Sequence, residues 1–262
     1  MNEKKIVAIV QARMGSSRLP GKVLRDIHGK PMLAWVVERA HRANMVSEVV
    51  VATTTDKGDD LIAQMCDSMN VACFRGDTFD VLDRYYQAAR EVQADIIVRL
   101  TADCPLIDPE LIDLVVEKFM DEKVDFAANR LPPPFERTYP IGLDVEVVSF
   151  SALERAWREA TEKHEREHVL PYLYDVPDRF PMYIVNNNIN YGSYRWTVDT
   201  EPDLQFVRAI FAMLPDQERF SWTDVLKIVK DHPELTEINA AISHKTYTDV
   251  DSRAGKDSSN NG

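Results

Sequence analysis

The chain is 262 residues long, with 45% hydrophobic and 28% charged residues, enough to bury a sizeable core and close to the composition of ordinary soluble domains. Its formal net charge of −12 argues against non-specific binding to nucleic acid or to an anionic membrane surface. No apolar run approaches the roughly 20 residues that span a bilayer, and the apolar segment 6–10 after Lys4-Lys5 is too short for a signal-peptide core, so the expected location is cytoplasmic, with no membrane or nucleic-acid partner.

In chain order, Val/Ile-rich runs alternate with segments of helical period. The pattern predicts strands at 6–10, 49–52, 71–74 and 96–100, each followed by a helix, at 31–43, 58–70, 78–92 and 109–120. Strands apolar on both faces belong to a mainly parallel, twisted sheet sandwiched by helices, and ligands of such sheets sit beyond the carboxyl ends of the strands. Past residue 125 the pattern changes. Arg130-Leu131-Pro132-Pro133-Pro134 excludes helix and central strand, and 142–148 alternates with period two like an antiparallel or edge strand. Helices are expected at 151–160 and 165–174, strands at 182–185 and 195–198, and helices at 203–212, 223–230 and 233–242. The expected organisation is a single domain over 1–248, comprising a nucleotide-binding part (1–125), a smaller mixed acceptor lobe (126–200) and C-terminal helices (201–248), followed by a disordered tail at 249–262.

The three cysteines, Cys66, Cys73 and Cys104, are an odd, widely spaced set without a CxxC pair, which indicates neither a disulfide framework nor a zinc site.

One stretch departs from the acidic average: residues 4–30 carry seven Lys or Arg and a single acid, Asp26. Within it the loop after the first strand, Val10-Gln11-Ala12-Arg13-Met14-Gly15-Ser16-Ser17-Arg18-Leu19-Pro20-Gly21-Lys22-Val23-Leu24, spaces Arg13, Arg18 and Lys22 too closely to avoid one another. Three such cations repel unless something negative lies among them. A triphosphate fits, because backbone N–H groups around Gly15 and Ser16 can cradle phosphate oxygens while guanidinium groups bind them in bidentate fashion. Neither the GxxxxGK[ST] nor the GxGxxG spacing is present.

The order Ala12-Arg13-x-x-Ser16-x-Arg18-Leu19-Pro20-Gly21-Lys22 resembles the N-terminal signature of cytidylyltransferases of the KDO and acylneuraminate type. Within that family it is most similar to the branch named for spore coat polysaccharide biosynthesis protein F, over roughly residues 5–212. The resemblance implies a GT-A-like nucleotidyltransferase fold, CTP as donor, Mg²⁺ as cofactor, and Arg13, Arg18 and Lys22 on the phosphates. It implies products that feed surface polysaccharide assembly, and it raises a homodimer, since related enzymes are often dimers.

A second segment, Arg99-Leu100-Thr101-Ala102-Asp103-Cys104-Pro105-Leu106, places an acid directly after a buried strand. Mg²⁺ takes one or two carboxylates and leaves its other positions to phosphates and water, so Asp103 is the natural first ligand, matching the family's metal-binding Asp. Asp108, before Pro109, is expected to cap a helix. In the third segment, Trp196-Thr197-Val198-Asp199-Thr200-Glu201-Pro202-Asp203, Asp199 reads equally as a helix cap or a ligand. The resemblance makes it the second metal ligand, although Glu201 and Pro202 exchange the family's Pro-Glu order.

For the base, Ala8, Ala12 and Thr53-Thr54 lie where the family's nucleotide base packs; Asp77, which follows the third strand, and Arg84, one helical turn beyond Asp80, are further nucleotide candidates, and the choice of cytosine rests on the resemblance. For a small-molecule acceptor the candidates are Arg130, Arg137, Tyr139, Asp144 and His168, with Asn129 beside them, and the several arginines suggest an acidic or phosphorylated acceptor. His164-Glu165-Arg166-Glu167-His168 lacks the third ligand of a zinc site. The rivals are a nucleotidyltransferase with another NTP, a glycosyltransferase on the same architecture, for which Ala102-Asp103-Cys104 supplies only one acid of a DxD, and a silent nucleotide-binding protein.

Overall fold

A computed structural model of the chain describes residues 4–132 and 135–242. The elements are, in order, β1 (Ile6–Gln11), β2 (Asp26–Ile27), β3 (Lys30–Pro31), α1 (Met32–His41), β4 (Glu48–Thr54), α2 (Asp60–Met69), β5 (Ala72–Gly76), α3 (Val81–Glu91), β6 (Ile96–Thr101) and α4 (Pro109–Asp121). There follow β7 (Phe126–Ala128), β8 (Glu146–Ser149), α5 (Phe150–Glu159), α6 (Lys163–His168), α7 (Pro171–Tyr174), β9 (Met182–Ile184), α8 (Glu201–Met213), α9 (Trp222–Asp231) and a 3-10 turn, Pro233–Ile238.

Seven strands form one sheet in the order β5-β4-β1-β6-β8-β7-β9. β1 pairs in parallel with both β4 and β6, and β4 with β5. Only β8 runs against its neighbours, β6 and β7, while β9 is again parallel to β7. Alternate residues of each parallel strand enter opposite cores. Ala8, Val10, Val49, Val51, Val98 and Leu100 pack under α1, α2, α4, α8 and α9, whereas Val7, Ile9, Val50, Ala52 and Ile97 pack under α3, α5 and α7. Burial on both faces explains why these strands carry nearly unbroken Val/Ile runs.

The mainly parallel sheet covered by helices is as expected, with differences of detail. The period-two segment 142–148 forms a strand only from Glu146, and 195–198 joins the rest by a single bridge, Ile141 to Arg195. The helix expected at 165–174 is two: Val169 has φ 76° and Pro171 begins α7, because proline lacks an N–H and disfavours helical geometry before it. The 3-10 turn replaces the last expected helix. β7, three residues long, and the β2–β3 hairpin, turned by His28 and Gly29 with positive φ, were too short for periodicity to show. The tail expected at 249–262 lies outside the described residues, as do Pro133 and Pro134.

The strand ends that meet at the carboxyl edge are stitched across the chain. Asn129 is fully buried and donates from Nδ2 to the Leu143 carbonyl (2.7 Å) while its Oδ1 accepts from the Val145 N–H (2.9 Å). Next to it Gly142 has φ +106°, and a Cβ there would stand 2.5 Å from the Thr197 nitrogen and 2.7 Å from the Trp196 carbonyl carbon. Both obstacles are backbone. Gly142→Ala is therefore expected to destabilise the fold by about 2 kcal/mol or more, read as a lower urea midpoint at unchanged m-value.

Candidate active site

The loop after β1 closes on itself. The Met14 carbonyl accepts from both the Ser16 N–H (2.9 Å) and the Gly21 N–H (3.0 Å), and Ser16 Oγ accepts from the Leu19 N–H (3.3 Å). Leu19 is buried, while Gly21 takes the left-handed conformation, φ 68°, that starts a 3-10 turn at Lys22–Leu24. This turn aims Lys22 across the carboxyl edge of the sheet.

The Lys22 ammonium donates to Asp103 Oδ2 (2.8 Å), to Asp199 Oδ1 (2.9 Å) and to the Val198 carbonyl (2.8 Å). Asp103 follows β6 and Asp199 precedes α8. Their backbones are joined by the Val198 N–H donating to the Asp103 carbonyl (2.8 Å), which the Thr197 hydroxyl also reaches at 3.2 Å. Asp199 Oδ2 faces Arg18 (3.0 Å) and Arg195 (2.8 Å). Burial alone would raise the Asp199 pKa, but Lys22, Arg18 and Arg195 outweigh it and hold the carboxyl well below its ordinary range. Burial likewise lowers Lys22, and the two aspartates more than restore it, so the ammonium is charged.

Thr200, not Asp199, caps α8: its hydroxyl accepts from the Asp203 N–H, and Asp203 reaches back to the Thr200 N–H in a capping box. Asp199 is thereby released from capping. Asp108 is a cap, accepting from the Leu111 N–H (3.0 Å) and also from the Trp222 N–H (2.6 Å).

Residues 7–216 match the family described as cytidylyltransferase. The chain belongs to the cytidylyltransferase family. It is a CTP-dependent nucleotidyltransferase. The structure of a cytidylyltransferase from Leptospira borgpetersenii superposes with a TM-score of 0.85 at 34% identity, covering 92% of this chain and all of that one (100%). The spore coat polysaccharide biosynthesis protein of Bacillus subtilis is 29% identical over 236 residues, 87% of this chain and 95% of that protein. A 3-deoxy-manno-octulosonate cytidylyltransferase of Trichlorobacter lovleyi is 43% identical over 115 residues, 44% of this chain and 45% of that protein.

Around the other expected nucleotide residues, the cytidylyltransferase places Ala12, Thr53 and Arg84 in buried positions. The Thr53 hydroxyl and Arg84 Nε have no hydrogen-bond partner among the described residues. Arg84 donates from Nη1 to the Asp77 carbonyl (2.8 Å), and its pKa is lowered by burial, with the nearby Arg13 charge adding to the effect. Asp77 itself holds the Phe79 and Asp80 N–H groups (both 2.7 Å), which shapes the turn into α3. Sequence reading missed Asp59, buried at the start of α2, which accepts from the Met14 N–H (2.7 Å) and from Thr54. Only a contact 45 residues away in the chain gives it this role, and no local pattern shows it.

The acceptor candidates separate. Asp144 takes Arg137 (2.5 and 3.2 Å) and Arg130 (3.6 Å), so these three form one cluster. Tyr139 is in the core, its ring edge-on to Trp222, and Asn129 serves the backbone. His168 ends α6, which Arg166 ties to Asp80 at the start of α3 (2.5 Å), and His164 meets Asp175 at 2.7 Å. Among the described residues no group of three or more His, Cys, Asp or Glu suits a metal, and no helix is long and apolar enough to cross a membrane.

Behind Asp199, Asp203 is fully buried and accepts from Arg195 (2.9 and 3.1 Å), from the Asp199 and Thr200 N–H groups (3.0 Å each) and from Asn239 (3.0 Å). Burial raises its pKa, and these donors, Arg195 first, bring it below the ordinary value. A carboxyl depressed in the folded state contributes stability that is complete above its unfolded pKa, near 4, and is lost as pH falls through the folded value. Asp203→Asn is expected to cost about 3 kcal/mol at pH 7, with the deficit narrowing below pH 4. Urea melts across pH 2–7 measure it, and a deficit that stays constant would place the Asp203 pKa at its ordinary value.

Proposed function

We propose that this cytidylyltransferase transfers CMP from CTP to a sugar-like acceptor, acidic or phosphorylated, with release of pyrophosphate, and that Mg²⁺ is its cofactor. The product would serve surface polysaccharide assembly in the cytoplasm. The observation that carries the reading is the Lys22 bridge: a cation on the loop of Arg13 and Arg18 lies between two carboxylates at the carboxyl edge of a parallel sheet.

The donor set suits Mg²⁺. Asp103 and Asp199 offer hard oxygens that already share one positive charge, and an ion that draws its remaining ligands from phosphates and water needs no third side chain. Bound there, the ion would neutralise phosphate charge. The chain's own residues do the rest. Backbone N–H groups and the cations Arg13 and Arg18 bind the phosphates as oriented donors, and Lys22 adds a charge that stays on at any working pH because its pKa is raised. The transfer is an attack of an acceptor oxygen on the α-phosphorus with pyrophosphate leaving, a reaction governed by positioning and charge. On the acceptor side, the Arg130–Asp144–Arg137 cluster supplies two cations per carboxylate, which favours an acidic or phosphorylated group, in keeping with the acid named for the Trichlorobacter relative.

Pyrophosphate release with each of the four NTPs, Mg²⁺, and a panel of acidic sugars and small phosphorylated acceptors tests the reading. Release is expected only with CTP plus one panel member, falling about 100-fold or more in Asp103→Ala and in Lys22→Ala. Arg137→Ala is expected to raise the acceptor KM and leave the CTP KM in place. Release that persists in Asp103→Ala would overturn the site.

A further inference from the structure

An ammonium has three N–H donors and no acceptor. Those of Lys22 are all spent inside the site, on Asp103 Oδ2 (2.8 Å), Asp199 Oδ1 (2.9 Å) and the Val198 carbonyl (2.8 Å). With these bonds made, Lys22 has no donor left for a phosphate. Two of the oxygens it holds belong to the carboxylates that suit Mg²⁺. Lys22 and the metal therefore claim the same atoms.

The surrounding charges sharpen the competition. Asp199 Oδ2 meets Arg18 at 3.0 Å and Arg195 at 2.8 Å, and Arg195 is in turn tied to both oxygens of the fully buried Asp203 (2.9 and 3.1 Å). Three carboxylates, Asp103, Asp199 and Asp203, thus face three cations, Lys22, Arg18 and Arg195. Their charges cancel, so a divalent ion gains little by approaching, and taking Lys22 out of the set changes the balance by a full charge. Arg195 is anchored from behind, whereas Lys22 is a compact charge on a flexible four-carbon stem. Its turn is pinned by the buried Leu19 and Val23, and an exchange of partners needs the side chain alone to move.

We propose that Lys22 holds the metal's place: its ammonium keeps the oxygens of Asp103 and Asp199 occupied until the triphosphate of the nucleotide draws it off, and only then are both carboxylates open to a divalent ion. The proposal rests on the metal and transfer reading above. It makes nucleotide and metal binding mutually dependent, each raising the other's affinity. It also gives Lys22 two successive partners, carboxylate and phosphate, of the same charge sign.

The test measures Mn²⁺ binding without nucleotide, by electron paramagnetic resonance of the free ion, for wild type, Lys22→Met and Lys22→Met/Asp103→Asn, with thermal melting to check folding. Wild type is expected to bind Mn²⁺ only in the millimolar range, Lys22→Met at least about tenfold tighter, and the double variant to lose that gain. A lysine that only braced the loop would leave Lys22→Met with Mn²⁺ affinity no higher than wild type, and that result overturns the proposal. So does a gain that survives Asp103→Asn, which places the ion elsewhere. Micromolar Mn²⁺ binding by wild type alone overturns it whatever the variants do. Water proton relaxation of Mn²⁺–CTP supplies a second readout, expected to rise on adding wild-type protein and to rise less with Asp103→Asn. A rise no greater with wild type than with Asp103→Asn defeats the metal reading and this proposal with it. The greater rise with wild type, alongside equal Mn²⁺ affinities of wild type and Lys22→Met, defeats this proposal alone.

Discussion

The Lys22 ammonium joins parts of the chain 177 residues apart, and the arrangement of the sheet's carboxyl edge depends on it. Two carboxylates at this distance would repel and raise each other's pKa. One cation between them lets both stay ionised, and the loop that carries the cation is thereby fixed against β6 and the entry to α8. Lys22 is largely buried, 11% exposed at the side chain, so the interaction is screened less than a surface ion pair would be. The charges are also divided by element. Anions stand on strand and helix ends, which the sheet holds rigid, whereas Arg13, Arg18 and Lys22 stand on a loop.

Much of this was legible in the sequence because it depends on local signals. Strands apolar on both faces announce a covered parallel sheet, and such a sheet puts the residues after β1 and β6 on one edge. That placed Lys22 and Asp103 together before any distance was known. The third member, Asp199, was ambiguous for a physical reason: an acid before a helix serves equally as a cap. The capping box of Thr200 and Asp203 resolves it, since a helix end satisfied by those two leaves the Asp199 carboxylate to Lys22, Arg18 and Arg195.

Long-range pairing was not legible. Asp59 sits at the start of α2 and reads as an ordinary acid in a turn, yet it holds the Met14 N–H and so the first bend of the loop after β1. Asn129 resembled a polar acceptor contact and proves to be a backbone staple. Tyr139 resembled one too, and its ring packs in the core against Trp222. Buried polar side chains reveal their partners only once the sheet order is known, because the partner lies across a strand pair or a lobe and no spacing in the chain encodes it.

The layer behind Asp199 shows why so many polar groups are buried there. Asp203 is a charge with no exposure, and removing it from water would be costly without partners. Arg195, two backbone N–H groups, the Thr200 hydroxyl and Asn239 together saturate both oxygens. Asn239 also donates to the Arg195 carbonyl at 3.1 Å, so the C-terminal 3-10 turn helps to fix the arginine that faces Asp199. An apolar core at this point would pack as well, but it could not fix the direction of a carboxylate. Hydrogen bonds are directional, and they hold the Asp199 carboxylate at one angle to Lys22 and Arg195. The buried polar network is therefore explained by geometry at Asp199 more than by stability, and Asn239, far from the loop after β1 in sequence, becomes part of what aims that carboxylate.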